Sequence, residues 1–168
     1  LEAPRCDAAR LDRLVQIPLQ LGAIAGDRAR HFVSALLAPK TAKPAIFPEA
    51  TASLFDDALQ ENETKLLGEL APLAGDSPRA LKRFVNLYRL ARHAAPQARA
   101  ALALALAIET GGDAAEKKAF DALIAAEAPE AVYETRVQAG LDAARAAGMT
   151  PETLVKGARI ARAFSLRG

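Results

Sequence analysis

The stretch Gln97-Ala-Arg-Ala-Ala-Leu-Ala-Leu-Ala-Leu-Ala-Ile108, closed by Glu109-Thr110-Gly111-Gly112, decides the fold. Its alternation of Ala and Leu mimics the two-residue period of a strand. Alanine is a poor strand former, however, and Thr110-Gly111-Gly112 supplies an ordinary helix stop. The stretch therefore reads as a helix with so little polar surface that it must be buried. The surrounding composition agrees: 41 of the 168 residues are Ala and only 5% are aromatic, so the core has to be built from Leu and Ala. Alanine loses no side-chain entropy in a helix and lets two helix axes approach closely. The expected fold is all-α, an irregular bundle of about eight helices with an Ala/Leu-rich core, in a chain long enough for one medium domain.

Working toward the N-terminus, Ser77-Pro78 is the clearest local signal. A hydroxyl acceptor at the N-cap is followed by a ring whose φ is already helical, which starts a helix predicted to run over 78–94. At 100° per residue, with Arg79 taken as zero, Leu87, Ala91, Phe84, Tyr88, Leu81 and Val85 fall between roughly 80° and 240°. Arg79, Lys82, Arg83, Asn86 and Arg89 occupy the opposite arc. Arg79 lies in the first turn, where the helix dipole is already positive, a placement that costs a few tenths of a kcal/mol up to about 1 unless an anion is near. The formal net charge of the chain is +2, yet residues 77–108 carry six bases and no acid: Arg79, Lys82, Arg83, Arg89, Arg92 and Arg99. The remainder holds 16 basic against 20 acidic residues. The positive charge is concentrated in one place.

Elsewhere, Leu11 to Ile17 starts as a short helix or turn that Pro18 ends, and reads as a connector. Asp27 is expected to cap a helix from Arg28 to about Ala38. Pro39, Pro44 and Pro48 break regular structure, and helices are expected over 49–60 and from about Asn62 to Leu73. Asp113 caps a helix to about Ala126, Pro129 opens one to Ala147, and Thr150-Pro151-Glu152 starts the last, to about Phe164.

The sequence lacks both G-x-x-x-x-G-K-[ST] and G-x-G-x-x-G, so the chain does not by itself build the usual phosphate cradle. No catalytic residue and no metal site is assigned. His31 and His93 lack metal-ligand spacing and read as ordinary surface or half-buried histidines. Asp56-Asp57 and the pair Glu61 and Glu63 have no apolar flank and read as solvated faces. Cys6 has no His pattern around it and reads as part of a tail. A lone cysteine cannot form an internal disulfide, which points to a reducing cytoplasm. The longest apolar run, 100–108, is too short to span a bilayer, and no basic leader precedes a long apolar stretch. The chain does not open on Met, as expected of a fragment or a processed product.

The segment Ser77-Pro-Arg-Ala-Leu-Lys-Arg-Phe-Val-Asn-Leu-Tyr-Arg-Leu90 resembles the S-P-R-x-x-K-R-F-x-N-x-Y-R-L segment of KAP family P-loop NTPases, in their helical region downstream of the Walker B strand. Leu11-Asp-Arg-Leu-Val-Gln-Ile-Pro18 is similar to the family's L-E-K-I-x-Q-I-P, which follows the strand ending the nucleotide-binding core. Ile160-Ala-Arg-Ala-Phe-Ser165 is similar to an A-R-F-S-F ending. The three fall in family order and span nearly the whole chain. Departures are Leu19 where the family often has Phe, Ala163 inserted in the last match, and the missing Walker segments.

The resemblance implies a connector at 1–20 from a nucleotide-binding core, a helical lid over 21–110 carrying the basic helix 78–94, and a C-terminal helical extension over 111–168. It implies a sensor-type arginine facing the nucleotide phosphates, Arg79 or Arg83, with Asn86 as an orienting amide and Gln16 and Pro18 in the hinge. ATP and Mg2+ would belong to the parent protein only. The chain alone would be inactive, with the upstream P-loop core of the same chain as its partner. Membrane association would come only through segments outside this chain. A second reading is a helical interaction module that docks an acidic partner on the basic stretch, with a homo-oligomer formed through the Ala-rich helices as a further state. Nucleic-acid binding through helix 78–94 ranks lowest, because the chain as a whole is nearly neutral and no helix-turn-helix spacing precedes that helix.

Overall fold

A computed structural model describes residues 23–38, 59–126 and 135–164. Seven α-helices account for most of them, and no strand occurs among the described residues. They are α1 (Asp27–Leu37), α2 (Glu61–Leu70), α3 (Pro78–Ala91), α4 (Arg99–Gly111), α5 (Ala114–Ala126), α6 (Thr135–Ala146) and α7 (Pro151–Phe164), with a 3-10 turn at Arg92–Ala94. The all-α expectation holds, and the alternating Ala/Leu stretch is a helix. None of the described helices is long and apolar enough to cross a membrane. The expected connector with Gln16 and Pro18, the Pro39 to Pro48 break, the Asp56-Asp57 pair, Cys6 and the Pro129 helix start lie outside the described residues.

Local chemistry sets the boundaries. The Ser77 hydroxyl accepts from the Ala80 N–H at 3.2 Å, with Pro78 in the first turn. Asp113 and Glu116 form a reciprocal capping box at the start of α5: the Asp113 carboxylate accepts from the Glu116 N–H at 2.8 Å, and the Glu116 carboxylate accepts from the Asp113 N–H at 2.9 Å. Thr150 and Thr153 exchange similar bonds before α7. Several starts or stops differ from expectation. Gly26, not Asp27, is the N-cap of α1, because its φ of 56° makes a turn that an L side chain resists. Asp27 is instead the first helical residue, where its charge meets the positive helix end. The α2 helix stops at Leu70 rather than Leu73, since Pro72 has no N–H to extend the ladder. Likewise α3 tightens into the 3-10 turn after Ala91, with Pro96 following shortly. Leu59 and Gln60, expected at the end of a helix, are non-helical, and Gln60 is the N-cap of α2.

At the centre lies α4. Every residue from Ala100 to Ile108 is buried, so the helix has no face to offer to water. The α2, α3, α5, α6 and α7 helices all pack on it, and α1 closes over α2 and α3. The α7 helix makes the most extensive of these contacts, through small residues: Gly157, Ala158 and Ala161 are buried. A single apolar cluster runs through both halves of the chain, from Leu66 and Phe84 to Phe120, Leu141 and Ala161. Arg162 on α7 ties outward to Glu109 at 3.5 Å and to Asp121.

At Gly157 a Cβ would stand 2.7 Å from the backbone of Ala101 and Leu102. In an isolated helix, alanine is favoured over glycine by about 1 kcal/mol. Here Gly157→Ala forces α7 off α4, and overpacking of this kind costs about 1 to 3 kcal/mol. Urea unfolding is expected to show net destabilisation of the variant, the reverse of the propensity order.

Candidate functional site

The amphipathic character of α3 sorts its side chains into two environments. Leu81, Phe84, Val85, Tyr88 and Ala91 are buried, whereas Arg79, Lys82, Arg83 and Asn86 are exposed and Arg89 is half-buried. No acid occupies the first turn of α3, and neither Arg79 nor Arg83 forms an ion pair or hydrogen bond with another described residue. The three residues named for phosphate sensing thus share one open face. Leu90, 48% exposed, lies on the same side. It sits eleven residues after Arg79, about 20° round the helix at 100° per residue, so the sequence places it among the bases rather than the apolar set.

The structure also assembles a charged cluster that the sequence reading missed. Glu63, expected on a solvated face, is only 5% exposed, and Arg92, one of the six bases of the stretch offered to an acidic partner, is 3% exposed. Glu63 Oε2 accepts from Arg92 Nη1 at 3.2 Å and from the Gln60 backbone N–H at 2.9 Å. Its Oε1 accepts from the Tyr88 hydroxyl at 2.7 Å, and Arg99 Nη1 approaches the same oxygen at 3.6 Å. One carboxylate therefore caps α2, joins α2 to the end of α3 and meets the first turn of α4. Burial, and then the hydrogen bond to Glu63 and its charge, push the Tyr88 phenol well above the usual tyrosine range, so it stays a neutral donor. Of the six bases in residues 77–108, two are directed onto Glu63, and Arg79, Lys82, Arg83 and Arg89 remain to form the basic face.

Both errors have a physical source. Glu63 precedes Leu66, Leu67 and Leu70 by three, four and seven residues, which places it on their stripe. Arg92 falls about 220° from Arg79, inside the apolar arc. Charge was read as solvation where the helical position predicts burial with a partner.

Beside this cluster is a cavity of about 240 Å3, lined by Glu63, Tyr88, Gln97, Arg99, Met149 and Thr153 among others. A more apolar groove of about 240 Å3 runs between α5, α6 and α7, past Leu123, Leu141, Leu154 and Val155. A second buried acid, Glu116, is gripped by Arg136 through Nε and Nη2, both at 2.7 Å, while Arg136 Nη1 donates to the Pro72 carbonyl at 3.3 Å. That pair ties α5 to α6 and the turn after α2. His31 and His93 are exposed, and no group of three or more His, Cys, Asp or Glu side chains suited to a metal occurs among the described residues. Comparison of the chain with protein-family models, with curated proteins and with solved structures finds no match.

Glu63→Ala breaks a buried ion pair and takes the acceptor from the Tyr88 hydroxyl and the Gln60 N–H at once, so it is expected to cost about 3 to 5 kcal/mol in urea unfolding. Tyr88→Phe loses one hydrogen bond to a charged group, about 1.5 to 3 kcal/mol. The pH dependence has a definite sign. Tyr88 holds its proton in the fold, while an unfolded phenol releases it near pH 10, so stability falls as pH rises past about 10. Unfolding measured between pH 8 and 11 is expected to show a shallower alkaline decline in Tyr88→Phe than in the wild type.

Proposed function

We propose that this chain is the helical lid and C-terminal region of a KAP-like P-loop ATPase, and that the open face of α3 meets the phosphates of a nucleotide held by an upstream core. Arg79 supplies the sensor-type guanidinium, with Arg83 one turn further along the same face and Asn86 orienting it. Gln16 and Pro18 belong to the hinge in this reading, and ATP with Mg2+ is bound by the parent protein rather than by this chain. The observation that carries the reading is Arg79 itself: a cation in the first turn of a helix, exposed, without an acidic neighbour in that turn and without an ion pair among the described residues. A cation so placed is unfavourable until an anion arrives. The anion expected from the resemblance is a triphosphate, whose oxygens take the guanidinium fork in charge-assisted bonds. Because α3 packs on α4 and Tyr88 ties it to Glu63 of α2, a pull on Arg79 is passed to the bundle, which in this reading couples nucleotide state to lid angle.

A second reading, docking of an acidic partner on the same face, is favoured by Leu90. An exposed leucine among arginines suits a protein surface better than a phosphate site.

In the parent protein, Arg79→Ala is expected to lower ATP hydrolysis by about 10- to 100-fold, the loss of one charge-assisted hydrogen bond in the transition state. Circular dichroism stays unchanged and the melting temperature does not fall, since Arg79 is exposed and its charge at the helix start is unfavourable. The exposed Arg159→Ala on α7 serves as a control. Equal hydrolysis rates for wild type and Arg79→Ala contradict the proposal.

A further inference from the structure

Arg79 stands just past the N-cap of α3, so whatever holds Ser77 in place also aims Arg79. The Ser77 hydroxyl and carbonyl accept from the Ala80 and Leu81 N–H groups at 3.2 and 3.1 Å, which makes Ser77 one body with the first turn. The residues before it, Ala74 to Asp76, are fixed from two sides. On one side lies the end of α4. A Cβ at Gly111 would collide with the backbone of Ala74 and Gly75, so the two main chains meet there with no side chain between them. Gly75 has a φ of 123°, and a Cβ on it would stand 2.9 Å from that of Ala80. On the other side, the Ile24 N–H donates to the Asp76 carbonyl at 2.6 Å. Among the described residues this is the one backbone hydrogen bond that joins parts of the chain distant in sequence. The Ile24 side chain is partly buried against the core, and Gly26 then opens α1, which packs on α2 and α3.

We infer that Ile24 is a positioning residue for Arg79: its N–H ties the chain that follows the connector to the N-cap of α3, so a shift of the connector re-aims the first turn of that helix. The opposite end of α3 is held by Glu63 through the Tyr88 hydroxyl at 2.7 Å. Pinned there, the helix answers a shift at Asp76 by swinging about its C-terminal end, and Arg79, in the first turn, moves furthest. The route from connector to guanidinium is short, because it passes from Ile24 to Asp76 and into the helix start without crossing the core. The consequence for hydrolysis rests on the nucleotide reading, whereas the tie itself does not.

The test measures amide hydrogen exchange by NMR in the whole 168-residue chain. In the wild type the Ile24 amide is expected to be protected together with those of Ala80 and Leu81. Ile24→Pro removes the donor and is expected to lower protection of the Ala80 and Leu81 amides by about tenfold, with the Leu104 amide of α4 unchanged. Ile24→Ala gives up the same side chain but keeps the donor, and is expected to leave Ala80 within about threefold of the wild type. In the parent ATPase, Ile24→Pro is expected to slow hydrolysis, and its combination with Arg79→Ala to be no slower than Arg79→Ala alone, the signature of action through that arginine. Three results each overturn the inference: an Ile24 amide that exchanges as in an unfolded peptide, equal losses at Ala80 in Ile24→Pro and Ile24→Ala, or hydrolysis losses that multiply in the double variant. The first is read from the wild type, so it decides even where Ile24→Pro does not fold. Should Arg79→Ala hydrolyse ATP at the wild-type rate, the nucleotide reading falls, and the exchange results alone judge the tie.

Discussion

A helix without a polar face cannot lie at a surface, and α4 has none. From Ala100 to Ile108 each side chain must be covered, and five other helices do so. The covering is possible at close range because the residues are small: alanine on α4 meets glycine and alanine on α7, and the axes approach until a single added methyl at Gly157 has no room. Everything else about the bundle follows from where each covering helix must stand and which of its faces is thereby left outside.

For α3 the outcome is a division of labour between arginines. Its apolar arc is used on the core, and Arg92, on that arc, is taken inside with Glu63 as counter-ion. Arg79 and Arg83 lie across the helix and stay in solvent. The Glu63 cluster fixes the rotation of α3 from its C-terminal end, since a buried carboxylate with three hydrogen bonds tolerates little displacement. The basic face is therefore held in a set direction. A face so held suits the proposed role of meeting phosphates supplied from elsewhere, and it makes α3 a rigid lever rather than a loose arm.

Much of this was legible before any coordinates. Ala and Leu in place of β-branched residues made the helical class plain, and Ser77-Pro78, Asp113 and Thr150-Pro151 marked helix starts through side-chain chemistry that acts over three residues. Tertiary pairing acts over longer distances and left weaker marks. Glu63 meets Tyr88 and Arg92 across 25 and 29 residues of sequence, and no local rule selects those partners. What the sequence did contain was their position on apolar stripes, which the habit of treating charge as surface concealed. Leu90 carries the converse lesson: an apolar residue on a polar arc was exposed, as its angle requires. The Arg79, Arg83 and Asn86 face needed only the helical wheel.

The central claim is that Glu63 sorts the arginines of one helical stretch into an inner and an outer class. Arginine-selective modification of the native chain with phenylglyoxal, mapped by mass spectrometry, reads that sorting residue by residue. The account requires rapid modification of Arg79 and Arg83, with Arg92 protected until the chain is unfolded. Modification of Arg92 in the native chain at the rate of Arg79 would contradict it.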